Sequence, residues 1–207
     1  MDDGPRGRFI AIEGIDGSGT TLQTRAVGDW LTTRGHRVLE TREPSTGAIG
    51  ALARQRLSVH ADADPITLAL LFAADRLDHI AREVAPALAA GAVVLTDRYL
   101  MSSLAYQALD CDQAWVRQIN RHAPPPDLTL VLDVPADVAF VRAQRRTAGG
   151  GSVAERFDAL ELQRRLADHY RRLHNDPDLG PMVVVDGDRP PGAVTDELAQ
   201  TLQRLGL

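Results

Sequence analysis

A short glycine-rich loop between an apolar strand and a helical pattern confines this chain to few folds. Phe9-Ile10-Ala11-Ile12-Glu13 reads as a strand, and Gly14-Ile15-Asp16-Gly17-Ser18-Gly19-Thr20-Thr21 follows it directly. Gly14, Gly19 and Thr21 fit the P-loop spacing of Gly, four residues, then Gly-Lys-Ser/Thr. Thr20 stands where the lysine belongs. The glycines let backbone N–H groups turn inward around phosphate oxygens, at the positive end of a helix whose pattern runs from Leu22 to Trp30. That function needs no side chain. The Thr21 hydroxyl is placed to help hold Mg²⁺, whereas the absent ammonium would have neutralised charge on a transferring phosphate. Such a loop alone is often only a tight turn, but the flanking strand and helix favour phosphate binding. The chain has no lysine at all; its 23 basic residues are all arginine. Thr20 therefore reflects either a chain-wide bias, with an arginine supplying the charge elsewhere, or lost catalysis.

Apolar runs bounded by turn signals recur at Phe9–Glu13, Val38–Thr41, Val93–Asp97, Thr129–Val134 and Met182–Asp186. Helical patterns lie between them, which is the signature of a parallel sheet with crossover helices. The clearest helix starts after Asp64, with Pro65 in its first position, and runs toward Gly91; Pro86 predicts a break or bend before that end. Ala136–Arg145 and Leu160–Leu173 read as helices joined by Ala148-Gly149-Gly150-Gly151-Ser152, a glycine-rich hinge. Val194–Leu205 is amphipathic and is expected to pack at the sheet edge. The expected architecture is one α/β domain over residues 1–207: a P-loop NTPase-like, five-stranded parallel sheet flanked by helices on both faces, with a mobile lid over about 143–157.

A net charge of −5 argues against a general nucleic-acid or anionic-membrane binder. Met1–Arg8 lacks the apolar core of a secretory signal, and no apolar run reaches the length of a membrane span. Cys111 is alone and cannot form an internal disulfide, which fits a reducing cytoplasm. The six histidines show no metal-ligand spacing and are read as surface residues.

Asp97-Arg98-Tyr99 closes the strand Val93–Asp97, and Arg42-Glu43-Pro44 closes another. In open parallel sheets the carboxyl ends of strands border the ligand crevice. A carboxylate and a guanidinium there suit Mg²⁺ and phosphate respectively; a structural ion pair is the plainer alternative. Phe72 and Arg76, four apart, share a helical face. An aromatic beside a guanidinium suits a base, although for this pair alone core packing with a snorkelling arginine is the safer reading. Ser103, Tyr106 and Gln107 share another face, toward the same crevice.

Together these pieces resemble thymidylate kinases over nearly the whole chain, from Phe9 to the last helix. The resemblance rests on Glu13–Gly19, Thr41-Arg42-Glu43-Pro44, Leu70-Leu71-Phe72-Ala73-Ala74-Asp75-Arg76, Asp97-Arg98-Tyr99 with Ser102-Ser103-Leu104-Ala105-Tyr106-Gln107, and Pro126–Pro135. It implies a kinase that converts dTMP to dTDP with ATP and Mg²⁺. It implies that Phe72 stacks on thymine, Arg76 bonds its carbonyl edge, and Ser103 or Gln107 reads the ring N3–H. Tyr106 would lie under the sugar and disfavour a 2′-hydroxyl, Asp16 would hold the 3′-hydroxyl, and Arg42 and Arg98 the monophosphate. Asp97 and Glu43, with Thr21, would organise Mg²⁺ and its waters. Residues 14–21 would hold the ATP phosphates, with Arg142 and the loop after Asp186 near adenine. The resemblance also implies a homodimer.

Three departures stand out: Thr20 itself, Ser45-Thr46-Gly47-Ala48 where the family usually has Gly-Gly-Thr-Pro, and three glycines in the lid ahead of Glu155-Arg156. Between Val141 and Arg172 eight arginines face four acids, a stretch of +4 in an acidic chain. Thymidylate kinases carry an extra basic residue either in the P-loop or in the lid. Gly17 occupies the P-loop position, so this chain resembles the lid-arginine form, with Arg145, Arg146 or Arg156 acting on the transferring phosphoryl group as an arginine finger does. Two other readings stay open: a non-catalytic nucleotide-binding homologue, and a kinase for another nucleoside monophosphate.

Overall fold

The computed structural model of the protein describes residues 6–59, 64–148 and 160–207, with backbone alone at 58–59 and 146–148. Five strands form one parallel sheet: β1 (Phe9–Glu13), β2 (Val38–Arg42), β3 (Val93–Asp97), β4 (Leu128–Asp133) and β5 (Met182–Asp186), in the order β2-β3-β1-β4-β5. All five expected strands form, β2 ending one residue later and β4 shifted by one. Every residue of β1 and β3 is buried, as continuous apolar runs covered on both faces require.

Alternation along the strands divides the core. Ile10 and Ile12 pack with Val27 and Leu31 of α1 (Thr20–Thr33) and with Val194, Leu198 and Leu202 of α9 (Pro191–Arg204). The C-terminal helix thus covers the sheet toward β5, the edge strand. Phe9 and Ala11 point the other way, against α5 (Leu100–Tyr106), α6 (Gln113–Asn120) and α8 (Leu160–Leu173).

The long helix has the proline break expected of it. Asp64 caps α3 (Pro65–His79) by accepting the Thr67 N–H at 2.7 Å. A π-turn, Ile80–Val84, follows and leads into α4 (Ala85–Ala89). Pro86 has no N–H for the Arg82 carbonyl, and the turn immediately before it widens, the Ala85 N–H reaching back to Ile80. Two further helices are α2 (Ala48–Val59) and α7 (Ala136–Ala148). The glycine-rich joint, most of the expected lid and Arg156 lie outside the described residues. No described helix is long and apolar enough to cross a membrane.

Candidate active site

The loop between β1 and α1 turns through positive φ at Gly17 (86°) and Gly19 (98°). Gly19 is the N-cap of α1, so no side chain caps that helix, and its first turn carries no acid. Its leading N–H groups and the positive end of its dipole are left for an anion. A Cβ on Gly17 would lie 2.0 Å from the Ala139 carbonyl of α7. Close packing of α7 on the loop therefore leaves no room for a side chain at this position. Thr20 is buried and opens α1.

Next to the loop, β2 and β3 end side by side with Arg42 opposite Asp97, and the Glu43 N–H donates to the Asp97 carbonyl at 3.0 Å. The two strand-end pairs read from the sequence are therefore neighbours. A cavity of about 700 Å³ runs from the P-loop past these ends to α3 and α5. Of the expected site residues, Asp16, Gly17, Gly19, Thr20, Thr21, Arg42, Glu43, Phe72, Arg76, Asp97, Arg98, Ser103, Tyr106, Gln107 and Arg142 line it. Gly14, Ile15 and Ser18 belong to the loop but do not line the cavity. Arg145 is exposed on α7 and does not line it either, so the lid-arginine expectation finds no support at this residue. The Arg146 side chain and Arg156 lie outside the description.

Buried acceptors in the cavity wall lack partners among the described residues: Asp16 Oδ2, Asp97 Oδ1 and Gln107 Oε1. Buried polar atoms are nearly always hydrogen-bonded, so unpaired acceptors on residues that line one cavity mark where a ligand's donors or a cation fit. Thr21 Oγ1 donates to Asp97 Oδ2 at 2.5 Å, leaving Asp97 Oδ1 open. A hydroxyl and a carboxylate suit Mg²⁺, which takes one or two carboxylates and completes its shell with water and phosphate oxygen.

Arg98 is the one described non-glycine residue with positive φ, at 71°. Its guanidinium pairs with Asp16 rather than with adjacent Asp97, donates to the Gly14 carbonyl at 2.9 Å, and lies 5.1 Å from the Tyr106 ring centre. Burial opposes its charge, but Tyr106, Asp16, Tyr170 and Asp97 outweigh that and hold its pKa well above the usual arginine value. It stays cationic, as a phosphate ligand requires.

Arg76 does not snorkel. Its guanidinium is fully buried, donating from Nε to Glu43 Oε2 at 2.8 Å, to Asn120, to the Tyr99 carbonyl at 3.1 Å and to Ser103 Oγ at 3.0 Å. Glu43 is thereby drawn toward α3, with its other oxygen 3.3 Å from His79 Nδ1. Both of its oxygens thus meet side chains of α3. His79 corrects the surface reading of the histidines, being buried between Glu43, Glu83 and the Thr41 hydroxyl. Burial pulls its pKa down, yet Glu43, with Glu83 and Asp75, wins and raises it.

The Ser45 departure also has a structural account. Asp75 is buried and accepts the Ser45 N–H at 2.7 Å and its hydroxyl at 2.5 Å, while Arg54 donates to the Pro44 carbonyl at 2.8 Å. The turn after β2 is thus pinned from α3 and α2. On the donor side, Arg142 bonds the Gly187 carbonyl at 3.0 Å and Asp188 at 3.1 Å, joining α7 to the loop after β5.

Sequence reading missed Arg25, Arg54 and Leu57, which also line the cavity. Arg25 had a legible signal: it lies four residues, about one turn, beyond Thr21 on α1. It also missed Glu13, which is fully buried at the end of β1.

The sequence profile of the thymidylate kinase family matches residues 12–198. The chain is 41% identical to a probable thymidylate kinase of Pyrococcus horikoshii over 174 residues, covering 81% of this chain and 83% of that protein. It is 39% identical to a probable thymidylate kinase of Pyrobaculum aerophilum, covering 95% and 97%. It is 40% identical to the thymidylate kinase of Caulobacter vibrioides, covering 98% and 99%. With the parallel sheet, the strand-end carboxylate and arginine, and the cavity between them, these matches establish that the chain belongs to the thymidylate kinase family of nucleoside monophosphate kinases.

Proposed function

We propose that this chain transfers the terminal phosphoryl group of ATP to dTMP, giving ADP and dTDP. The observation that carries the reading is one cavity joining the uncapped start of α1 to the wall of Phe72, Ser103, Tyr106 and Gln107, with unpaired acceptors along it. A phosphate oxygen of dTMP attacks the γ-phosphorus as its bond to the β-phosphate oxygen breaks. The protein's task is positioning and charge neutralisation.

Phe72 stacks on thymine, with Arg76, Ser103 and Gln107 at its edge; Tyr106 lies beneath the sugar, and the open oxygen of Asp16 takes the 3′-hydroxyl. Arg42 and Arg98 hold the acceptor phosphate. Residues 14–21 take the ATP phosphates, and Arg142 with the loop after β5 borders adenine. Thr21 and Asp97 would hold Mg²⁺, with Glu43 nearby; when bound, the ion would neutralise phosphate charge. The charge that Thr20 lacks comes from arginine: Arg145, Arg146 or Arg156 of the lid, or Arg25. Helical side chains lean toward the helix N-terminus, so Arg25 on α1 leans toward the P-loop.

The whole chain acts as one kinase domain. Ile66, Leu70 and Leu77 are exposed on one stripe of α3, which supports a homodimer. The lone Cys111 and the net charge of −5 support a cytoplasmic enzyme without nucleic-acid or membrane partners. One specific observation, Thr20, keeps the non-catalytic reading alive. ADP release measured with each nucleoside monophosphate tests both.

A further inference from the structure

We propose that Glu13 is the positioning residue of the acceptor side: it caps α5 from a neighbouring strand and, through Ser102 and Tyr170, fixes the guanidinium of Arg98. The proposal rests on the acceptor-site reading above, in which Arg98 and α5 hold dTMP.

Glu13 ends β1 and is fully buried. Among the described residues its carboxylate bonds to no cation, only to neutral donors. Oε1 accepts the Tyr99 N–H at 2.8 Å and the Ser102 N–H at 3.1 Å; Oε2 accepts the Ser102 hydroxyl at 2.6 Å and the Tyr170 hydroxyl at 3.0 Å. Burial pushes its pKa up, and the Ser102 hydrogen bonds and the Arg98 charge only partly offset this. A carboxylate held this way is costly to keep in a core. Its geometry shows what the cost secures.

The first role is capping. Tyr99, the N-cap of α5, makes no side-chain cap bond, and the first turn has no acid. Glu13 Oε1 supplies the missing acceptor from β1, taking the N–H of the cap and of the third helical residue. The helix so anchored carries Ser103 and Tyr106 and leads into Gln107. The same bond to Tyr99 clamps the residue after Arg98, whose positive φ persists only where its surroundings over-determine it.

The second role is orientation. The Ser102 and Tyr170 oxygens lie 2.9 Å apart, and 3.3 and 3.4 Å from Arg98 Nη1. A hydroxyl that gives its hydrogen to Glu13 turns its lone pairs elsewhere, here toward Arg98. A glutamine at 13 keeps the shape and one acceptor oxygen. Its amide N–H₂ donates, so the hydroxyl hydrogens swing toward the guanidinium and meet its N–H groups head on. Tyr170 comes from α8, so the helix beyond the lid takes part in holding the acceptor arginine.

Equilibrium binding of dTMP to the full chain without ATP, with steady-state kinetics, tests this. Wild-type binding is measured first; its absence overturns the acceptor-site reading itself. Given wild-type binding, Glu13→Gln is expected to weaken dTMP binding and raise KM for dTMP about tenfold, the worth of one misaligned bond to a charged group. KM for ATP should stay within about twofold, since uniform damage would move both constants. Tyr170→Phe, which removes one hydroxyl, should raise KM for dTMP about threefold, and less than that in the Glu13→Gln background. Unchanged dTMP binding in folded Glu13→Gln, or equal loss on the ATP and dTMP sides, overturns the proposal. If Glu13→Gln does not fold, Tyr170→Phe decides alone, and unchanged dTMP binding in that variant overturns it.

Discussion

The Thr21 hydroxyl donates to the Asp97 carboxylate at 2.5 Å, tying the first turn of α1 to the end of β3. This contact joins the phosphate loop to the strand-end carboxylate and leaves Asp97 Oδ1 without a partner among the described residues, on a side chain that lines the cavity. Asp97→Asn keeps the size and removes the charge. It should lower kcat about a hundredfold and raise the Mg²⁺ concentration needed for half-maximal rate, as loss of a transition-state charge contact does. A Mg²⁺ titration of wild type and variant checks it; an unchanged requirement would remove Asp97 from the metal site.

Arginine in place of the missing lysine gives the second prediction. Replacing the responsible residue among Arg25, Arg145, Arg146 and Arg156 by Ala should lower kcat about a hundredfold. Arg145, exposed and not among the residues lining the cavity, is the weakest candidate of the four. Thr20→Lys should then give only a modest gain. Near-normal kcat in all four variants would refute compensation, and a large gain from Thr20→Lys in an otherwise silent protein would favour the non-catalytic reading.

Much of this fold was legible. Five apolar runs, each with turn signals and helical patterns between them, have few alternatives to parallel strands, and α8 falls on its predicted residues. Pro86 marked the irregular turn because a missing N–H acts locally. Shorter elements were not read: α2 begins behind Pro44-Ser45-Thr46-Gly47, which resembles continuing loop, and α6 has a cap, Asp112, that went unused. In the site, positions were legible and partners were not. Arg76 meets Asn120, and Glu13 meets Tyr170, across long stretches of chain that only the fold brings together. Gly17 shows the same limit: its reason is a carbonyl on α7, invisible in its neighbours.

Sugar discrimination should rest on Tyr106, which is buried with its ring edge-to-face against Tyr170 at 6.3 Å. Tyr106→Ala should relax selection against a 2′-hydroxyl more than it alters KM for ATP. Comparing dTMP with its ribose counterpart in both proteins checks this, and an unchanged preference would exclude the residue from the sugar site.

Asp75→Ala strips the acceptor from the Ser45 N–H and hydroxyl in a buried turn. The loss should be about 2–3 kcal/mol, lowering Tm by roughly 5–10 °C. Thermal unfolding measures it directly. A shift under about 1 °C would mean that water replaces the carboxylate.

His79, raised against its own burial by Glu43, Glu83 and Asp75, makes stability depend on pH. A histidine pKa higher in the folded than in the unfolded chain adds stability that is complete below about 6.5 and fades as pH rises through the folded value. Wild-type Tm should therefore fall above neutrality more steeply than that of His79→Gln. Parallel Tm–pH curves would show that the His79 pKa is the same in the folded and the unfolded chain.

The most direct test is ATP-dependent turnover of dTMP, dUMP, UMP and the other nucleoside monophosphates by the purified chain with Mg²⁺. ADP release is expected to be fastest with dTMP, slower with dUMP and poor with ribonucleotides. Comparable turnover of UMP and dTMP, or no turnover of any acceptor, would contradict the dTMP kinase reading.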